Sequence, residues 1–278
     1  MTETNELIEF LKERAHDMRK KIITSCYHAG SGHPGSSLST CEILSVLYHH
    51  ILNIDPKKPN DPDRDRFVLS KGHAAPALYS VLAQKGYFDE EELLTLRKTN
   101  SRLQGHPVMN KLPGIEITSG SLGMGISFGV GTILAERIQK KNYRTYVLTG
   151  DGELDEGQNW EGMLAAVKFK VDKMTVIVDY NKLQLDGRSD DIMPIGNLGD
   201  KFRAFGFNVI QCDGHDIPAL IEAIEQAQKF KGNPSVIIAD TIKGKGVSFM
   251  ENRVEWHGKT INDEDFKRAM AELNGGLN

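Results

Sequence analysis

Two short clusters between residues 150 and 183 have the composition of a metal-bridged anion site. Gly150-Asp151-Gly152 follows the strand-like run Arg144–Thr149, and Glu156 and Gly157 open a helical pattern just beyond it. Glycine on both sides of Asp151 permits a tight turn and close approach of backbone to a ligand. The helix that follows offers unpaired N–H groups and a positive dipole end, which favour phosphate. The next strand-like run, Met174–Asp179, leads into Tyr180-Asn181-Lys182-Leu183. A right-handed crossover brings both strand ends to one edge of a sheet, where Asp151 and Asn181 can meet as two oxygen ligands. A hard divalent cation takes carboxylate, amide, backbone carbonyl and phosphate oxygens, and Mg²⁺ and Ca²⁺ accept the same set. The spacing thus predicts a metal-bridged diphosphate.

The histidines form a second group. Of nine, His33, His73 and His106 each adjoin a glycine in a loop, and His257 lies between Trp256 and Gly258. Imidazole titrates near neutrality and so suits proton transfer. His16, His28, His49, His50 and His215 read as ordinary helix or loop residues. Lys243 lies in a Lys-Gly-Lys-Gly run, either as a solvated loop charge or as a phosphate partner.

Positioning these groups requires a regular scaffold, and the chain has the pattern for one. Residues 5–28 place Leu7, Leu11, Ala15, Met18 and Ile22 at helical spacing, and Gly30-Ser31-Gly32 ends that helix. Helices are expected over 37–50, 75–84, 89–99, 123–140, 156–170, 198–205 and 217–231. Strands are expected over 67–70, 144–149, 174–179, 207–211 and 235–240. The segment 53–66, with three prolines and four aspartates, reads as loop, as does the irregular stretch 101–117. Short β-branched strands alternating with long helices indicate an α/β, doubly wound, mainly parallel sheet with helices on both faces. Ligands bind such sheets outside the carboxyl ends of the strands. That places the site just after residues 70, 149, 180 and 240.

Composition narrows the function classes. The 278 residues carry 34 Lys plus Arg against 38 Asp plus Glu, a formal net charge of −4. A balance so close to zero argues against a generic nucleic-acid binder. No apolar run approaches the ~20 residues that span a bilayer. The N-terminal residues are charged early and lack an apolar core, so no secretory signal is expected. The cysteines, Cys26, Cys41 and Cys212, show no C-x-x-C spacing. They read as small apolar residues rather than a disulfide framework or zinc site, and the expected home is cytoplasmic.

GDGELDEGQNWEG followed by VIVDYNKLQLDG resembles the thiamine diphosphate motif, which runs from Gly-Asp-Gly to a distal Asn. SGHPGSS (31–37), LSKGHAAPALY (69–79), LQGHP (103–107), TSGSLGMG (118–125) and DTIKGKGVSFMENRVEWHGK (240–259) resemble transketolase in particular. Together these blocks cover nearly the whole chain in family order. Other thiamine enzymes, such as 2-oxoacid dehydrogenase α subunits, share the metal motif but not the histidine blocks.

The resemblance implies transfer of a two-carbon ketol unit from a ketose to an aldose phosphate. It implies metal ligands at Asp151, Asn181 and the Leu183 carbonyl. Cofactor contacts would come from Ser36, His73, Gly120, Ser121, Leu122, Gly152, Asn181, Lys243 and His257. His33, His106 and His257 would line the substrate channel and act in catalysis. Glu156 and Glu161 match residues near the family's subunit contact, and Trp160 reads as core. Full-length transketolases continue into pyrimidine-binding and C-terminal domains, and nothing here matches those. Residues 1–278 are therefore expected to be one diphosphate-binding domain, partnered by a separate C-terminal subunit in an α₂β₂ assembly. The alternatives are a non-catalytic cofactor-binding scaffold and another thiamine reaction, such as 1-deoxyxylulose-5-phosphate synthesis or oxidative decarboxylation.

Overall fold

The computed structural model describes residues 3–275. The chain opens with helix α1 (Glu3–Ala29), then the short helices α2 (Pro34–Leu38) and α3 (Cys41–Val46) and a π turn over Leu47–Ile51. Strand β1 (Arg66–Leu69) leads through a 3₁₀ turn to α4 (Ala75–Lys85). After a long irregular stretch come α5 (Gly125–Ile138), β2 (Thr145–Gly150), α6 (Gly157–Lys168) and β3 (Met174–Tyr180). The remainder is α7 (Ser189–Ile192), α8 (Leu198–Ala204), β4 (Asn208–Asp213), α9 (Ile217–Lys229), β5 (Ser235–Asp240) and α10 (Asp263–Asn274).

All five strands are parallel, in the order β1-β2-β3-β5-β4. Alternation along each strand feeds two cores. Phe67, Leu69, Tyr146, Leu148, Ile177 and Ile237 pack with residues of α1, α3, α4 and α9 on one face. Val68, Val147, Val176, Val178, Val236 and Ile238 pack with residues of α5, α6 and α8 on the other. Because both faces are covered, β1, β2, β3 and β5 are mainly apolar and buried, whereas the edge strand β4 is only partly covered. The strand order reverses beyond β3, since β5 rather than β4 pairs with it. Such a reversal opens a crevice at the carboxyl ends.

The doubly wound α/β fold expected from the pattern is present; besides the four-residue α7, which is not among the expected helices, it differs at three places. The helix expected over 37–50 is broken in two. Ser37, Ser39 and Thr40 turn their hydroxyls back onto the carbonyls of His33, Ser36 and Ser37, which competes with helix continuation. The helix expected over 89–99 is only a 3₁₀ segment, Glu90–Thr95. It stops because Arg97 turns left-handed (φ 58°) and donates its N–H to the Leu103 carbonyl instead. Finally, α10 is not among the expected helices, although Phe266, Ala269, Met270 and Leu273 have helical spacing. Its Phe266 ring stacks on Tyr27 of α1 at 4.2 Å between centroids. Cys26 and Cys41 are buried as expected, whereas Cys212 is half-buried. Among the described residues no helix is long and apolar enough to cross a membrane.

Candidate functional site

The β2–β3 register pairs Gly150 with Asp179, so Asp151 and the Asn181–Leu183 turn leave neighbouring strands at the same level. They line one cavity of about 230 Å³ together with Ser36, Lys71, His73, Leu122, Gly152 and Glu153, and with Gln184, Leu185, Lys243 and His257. Asp151 is buried, and its Oδ2 accepts from the Lys182 backbone N–H at 2.8 Å and from Ser189 Oγ at 2.9 Å. Burial, reinforced by nearby Asp179, raises its pKa to about 6 even with the Ser189 hydroxyl opposing the shift. A carboxylate so poorly compensated is suited to a cation.

Asn181 is held at both ends. Its Nδ2 donates to Asp179 Oδ2 at 2.9 Å, and its Oδ1 accepts from the Leu183 N–H at 3.2 Å. A carboxylate only accepts and a backbone N–H only donates, so the amide orientation is fixed without ambiguity. Asp179 is itself fully buried and gathers Lys71 Nζ, Ser39 Oγ and Thr241 Oγ1 besides Asn181. One carboxylate thereby ties the ends of β1, β3 and β5 to the segment between α2 and α3. Burial works against this charge, but the Lys71 ammonium keeps the Asp179 pKa below the ordinary value.

Lys243 is buried too, and its three donors are spent on the Leu183 carbonyl (3.1 Å), the Gln184 carbonyl (3.2 Å) and His257 Nδ1 (2.9 Å). Burial, with Lys71 nearby, lowers its pKa to about 8. The Ser36 hydroxyl is buried with no hydrogen-bond partner, an orphan on the cavity wall.

Glu153 holds the loop before α5 from below. Its carboxylate accepts from Ser70 Oγ, from the Gly123 N–H at 2.9 Å and from the Gly150 N–H at 3.1 Å. Gly72 lets that loop close on β1, since a Cβ there would fall 2.6 Å from Ser119 Oγ. Leu122 reaches the cavity. Gly120 lies against the His106 ring and Ser121 is exposed, and neither lines the cavity itself.

The four singled-out histidines come together although they lie far apart in sequence. His33 is 5.4 Å from His73, 5.4 Å from His257 and 6.1 Å from His106, centroid to centroid, and His73 is 5.0 Å from His257. Burial followed by Arg97 lowers the His33 pKa to about 4, and burial followed by Lys243 lowers that of His257 to about 3. Burial also lowers His73 and His106, with Lys71 and Arg97 adding to it respectively. The cluster is therefore neutral at pH 7, poised to donate and accept rather than to carry charge.

A linkage prediction follows. The unfolded chain takes up protons on these imidazoles near pH 6.5, while folded His33 and His257 wait until about 4 and 3. Their contribution is therefore present above about pH 6.5 and is lost as the pH falls through that window. Relative to a His33→Asn/His257→Asn variant, the melting temperature of the native chain should drop between about pH 7 and pH 5. A pH-independent difference contradicts the assignment.

Three of the remaining histidines have hydrogen-bonded structural partners. His16 bonds the Leu273 carbonyl and His49 the Gln84 side chain. His215 sits between Glu42 and the Ile242 N–H, beside a larger cleft of about 580 Å³ that contains none of the expected site residues. Glu156 and Glu161 are exposed on α6 and its N-terminus, outside the cavity. Trp160 packs on Phe202 and Phe205 as a core residue. Residue spacing assigns no role to Lys71, Asp179, Glu153 or Arg97, although the first three lie within the quoted motifs.

The donor set indicates which ion fits. Among the described residues no three His, Cys, Asp or Glu side chains are placed to hold one metal ion between them. An ion here would draw on one carboxylate, one amide oxygen and one carbonyl, all hard donors, plus oxygens from its ligand. That suits Mg²⁺ or Ca²⁺ carrying a diphosphate. The Leu183 carbonyl keeps a second lone pair while accepting from Lys243.

Known proteins resemble this chain along nearly its whole length. The family described as transketolase, thiamine diphosphate binding domain, matches residues 12–276. The chain is 44% identical over 263 residues to SqwG, a subunit of 6-deoxy-6-sulfo-D-fructose transketolase in Clostridium sp. (strain MSTE9), covering 95% of this chain and 96% of that one. It is 43% identical over 264 residues to a subunit of the apulose-4-phosphate transketolase of Actinobacillus succinogenes, covering 95% of each. The crystal structure of transketolase from Campylobacter jejuni superimposes with a TM-score of 0.90 at 35% identity, over 96% of this chain but only 43% of that longer chain.

Proposed function

From the premise that this chain belongs to the transketolase family, through its thiamine diphosphate-binding domain, we propose that it is the N-terminal subunit of a two-chain transketolase. Residues 1–278 form the diphosphate-binding domain, and the pyrimidine-binding domain comes from a C-terminal partner, in an α₂β₂ assembly working in the cytoplasm. The observation that carries this reading is the convergence of Asp151, Asn181 and Leu183 on a cavity also lined by Ser36, His73, Lys243 and His257. Two relatives with nearly the same span are named as transketolase subunits.

Thiamine diphosphate supplies a nucleophilic carbon and an electron sink when bound. The chain's own residues do the rest. Asp151, Asn181 Oδ1 and the Leu183 carbonyl would hold Mg²⁺ or Ca²⁺. Gly152 and Ser36 would meet the diphosphate, with the Lys243 charge balancing it from the cavity wall, and Gly120, Ser121 and Leu122 would meet the far end of the cofactor. His73 and His257 adjoin the cavity on the side of the histidine cluster. From there His33, His106 and His257 would orient sugar hydroxyls and move their protons, since neutral imidazoles both donate and accept near pH 7. A wall of polar rings favours a polyhydroxylated sugar over an apolar substrate. The relatives' names specify a sulfosugar and a sugar phosphate, so the donor and acceptor class proposed here is a ketose and an aldose with an anionic end. Exposed Glu156 and Glu161 would serve the subunit contact.

Reconstitution tests this. The chain with thiamine diphosphate and Mg²⁺ should show no ketol transfer, and adding a C-terminal subunit with a pyrimidine-binding domain should restore it. Turnover by this chain alone, or a loaded pair that binds sugar phosphates without exchanging carbon units, overturns the reading.

A further inference from the structure

Arg97 stands behind the histidine cluster in a constructed seat. Its backbone is left-handed (φ 58°), a conformation that long side chains rarely adopt, and is held by its N–H on the Leu103 carbonyl at 2.8 Å. Its guanidinium packs against Gly105, where an added Cβ would push it aside by a few tenths of an ångström. A Cβ on Gly105 would fall 3.0 Å from Nε and 3.2 Å from Cζ of Arg97. So placed, Arg97 Nη2 lies 3.3 Å from His33 Nδ1. A guanidinium has five donors and no acceptor, and it keeps its proton at every working pH. His33 Nδ1 must therefore be the acceptor, which leaves the ring proton on Nε2.

We propose that Arg97 is a positioning residue: it fixes His33 as the neutral, Nε2-protonated tautomer, so that this imidazole meets the sugar as a hydrogen-bond donor. The partner of the second nitrogen decides the tautomer of a histidine. The groups that face His33 support a neutral ring. Arg97, His106 and Lys243 each disfavour a positive charge there, beyond the effect of burial, and the His73 and His257 rings pack against it. His257 repeats the arrangement with Lys243 Nζ 2.9 Å from its own Nδ1. Two imidazoles of one wall thus have Nδ1 capped by a cation, and their Nε2–H groups remain for hydroxyl, carbonyl or developing alkoxide oxygens. The tautomer follows from geometry alone, whereas its use toward a sugar rests on the transketolase reading.

The test is long-range ¹H–¹⁵N correlation on the full chain labelled at histidine nitrogen, with His33 assigned by the signals lost in His33→Asn. Near pH 7, His33 should show an unprotonated Nδ1 and a protonated Nε2. Arg97→Met and Gly105→Ala should both mix the tautomers, and Arg97→Met should move the His33 titration upward from about 4. Gly105→Ala is the independent arm, because its Cβ displaces only the end of a flexible side chain and leaves the charge in place. A protonated Nδ1 in the native chain, or an unchanged tautomer in both variants, overturns the proposal. In the reconstituted holoenzyme, Arg97→Met should lower kcat/KM for the ketose by about tenfold or more, with thiamine diphosphate affinity unchanged. An equal loss of cofactor affinity would make Arg97 merely structural. A native holoenzyme without ketol transfer defeats the functional reading, and the nitrogen spectra still decide the tautomer.

Discussion

Asp151→Ala should weaken metal-dependent thiamine diphosphate binding by at least about a hundredfold, since even the outer partners of metal ligands are worth ten- to a hundredfold. The same change should leave the cofactor-free chain as stable as before, or more so. Burial raises the Asp151 pKa to about 6 from an ordinary 3.8. A group with a raised folded pKa is less stable ionised than in the unfolded chain, so its ionisation destabilises the fold as pH rises through that interval. Alanine removes the penalty and gives up the bonds from Ser189 and Lys182. Calorimetric titration of the reconstituted pair with thiamine diphosphate and Mg²⁺, alongside thermal melts without either, reads both effects. Affinity within about threefold of native would sink the metal assignment. A large fall in melting temperature would show instead that Asp151 is a structural carboxylate.

The contrast between these two readouts bears on what the residue order could reveal. Asp151 and Asn181 were legible because the strand–turn–helix punctuation around them is local, and the right-handed crossover rule then places two strand ends side by side. The histidines were legible as types beside glycines. Their assembly into one wall, with centroids 5.0 to 6.1 Å apart, was implied by the family resemblance and not by any spacing. Arg97 was hidden because the local pattern around it is helical. The left-handed turn there answers to Gly105 and His33, neither of which is a helical neighbour. The break at Ser39 and Thr40 was hidden for a similar reason, because hydroxyl back-bonding to the previous turn leaves no mark on apolar periodicity. The missed helix α10 had the signal in plain view, with Asn262 capping the Asp265 N–H and an apolar stripe behind it.

The polar residues under the cavity are the hardest to read and the most consequential. Lys71 and Asp179 lie at the ends of β1 and β3, which are not adjacent, since β2 runs between them. Only the folded sheet shows that Lys71 reaches across β2 to Asp179. In sequence each is a single charge after an apolar run, indistinguishable from a strand end meeting solvent. Burial gives them away, with side chains 1% and 0% exposed.

Lys71→Met should therefore be among the most damaging substitutions in the chain, costing about 3–5 kcal/mol, because it leaves Asp179 charged and uncompensated in the interior. For a domain of this size that corresponds to a drop in melting temperature on the order of 10 °C. Pairing it with Asp179→Asn should recover at least half of the loss, since the stranded charge disappears while an amide oxygen in the Oδ2 position can still accept from Ser39 and Asn181 and the amide nitrogen can donate to the Thr241 hydroxyl. The double variant should nevertheless bind metal and thiamine diphosphate more weakly than native. Lys71 also donates to the Ser36 carbonyl at 2.9 Å, and the charge that anchors the Asn181 amide is gone. Melts of the three variants give the stability cycle, and titration with cofactor and Mg²⁺ gives the binding arm. If Lys71→Met melts within about 2 °C of native, the pair is not the brace described. If the double variant melts no higher than the single one, the cost lies in lost packing around the lysine stem and not in an orphaned carboxylate. If stability returns together with native cofactor affinity, Asp179 holds the strand ends together but does not aim the metal ligand above it.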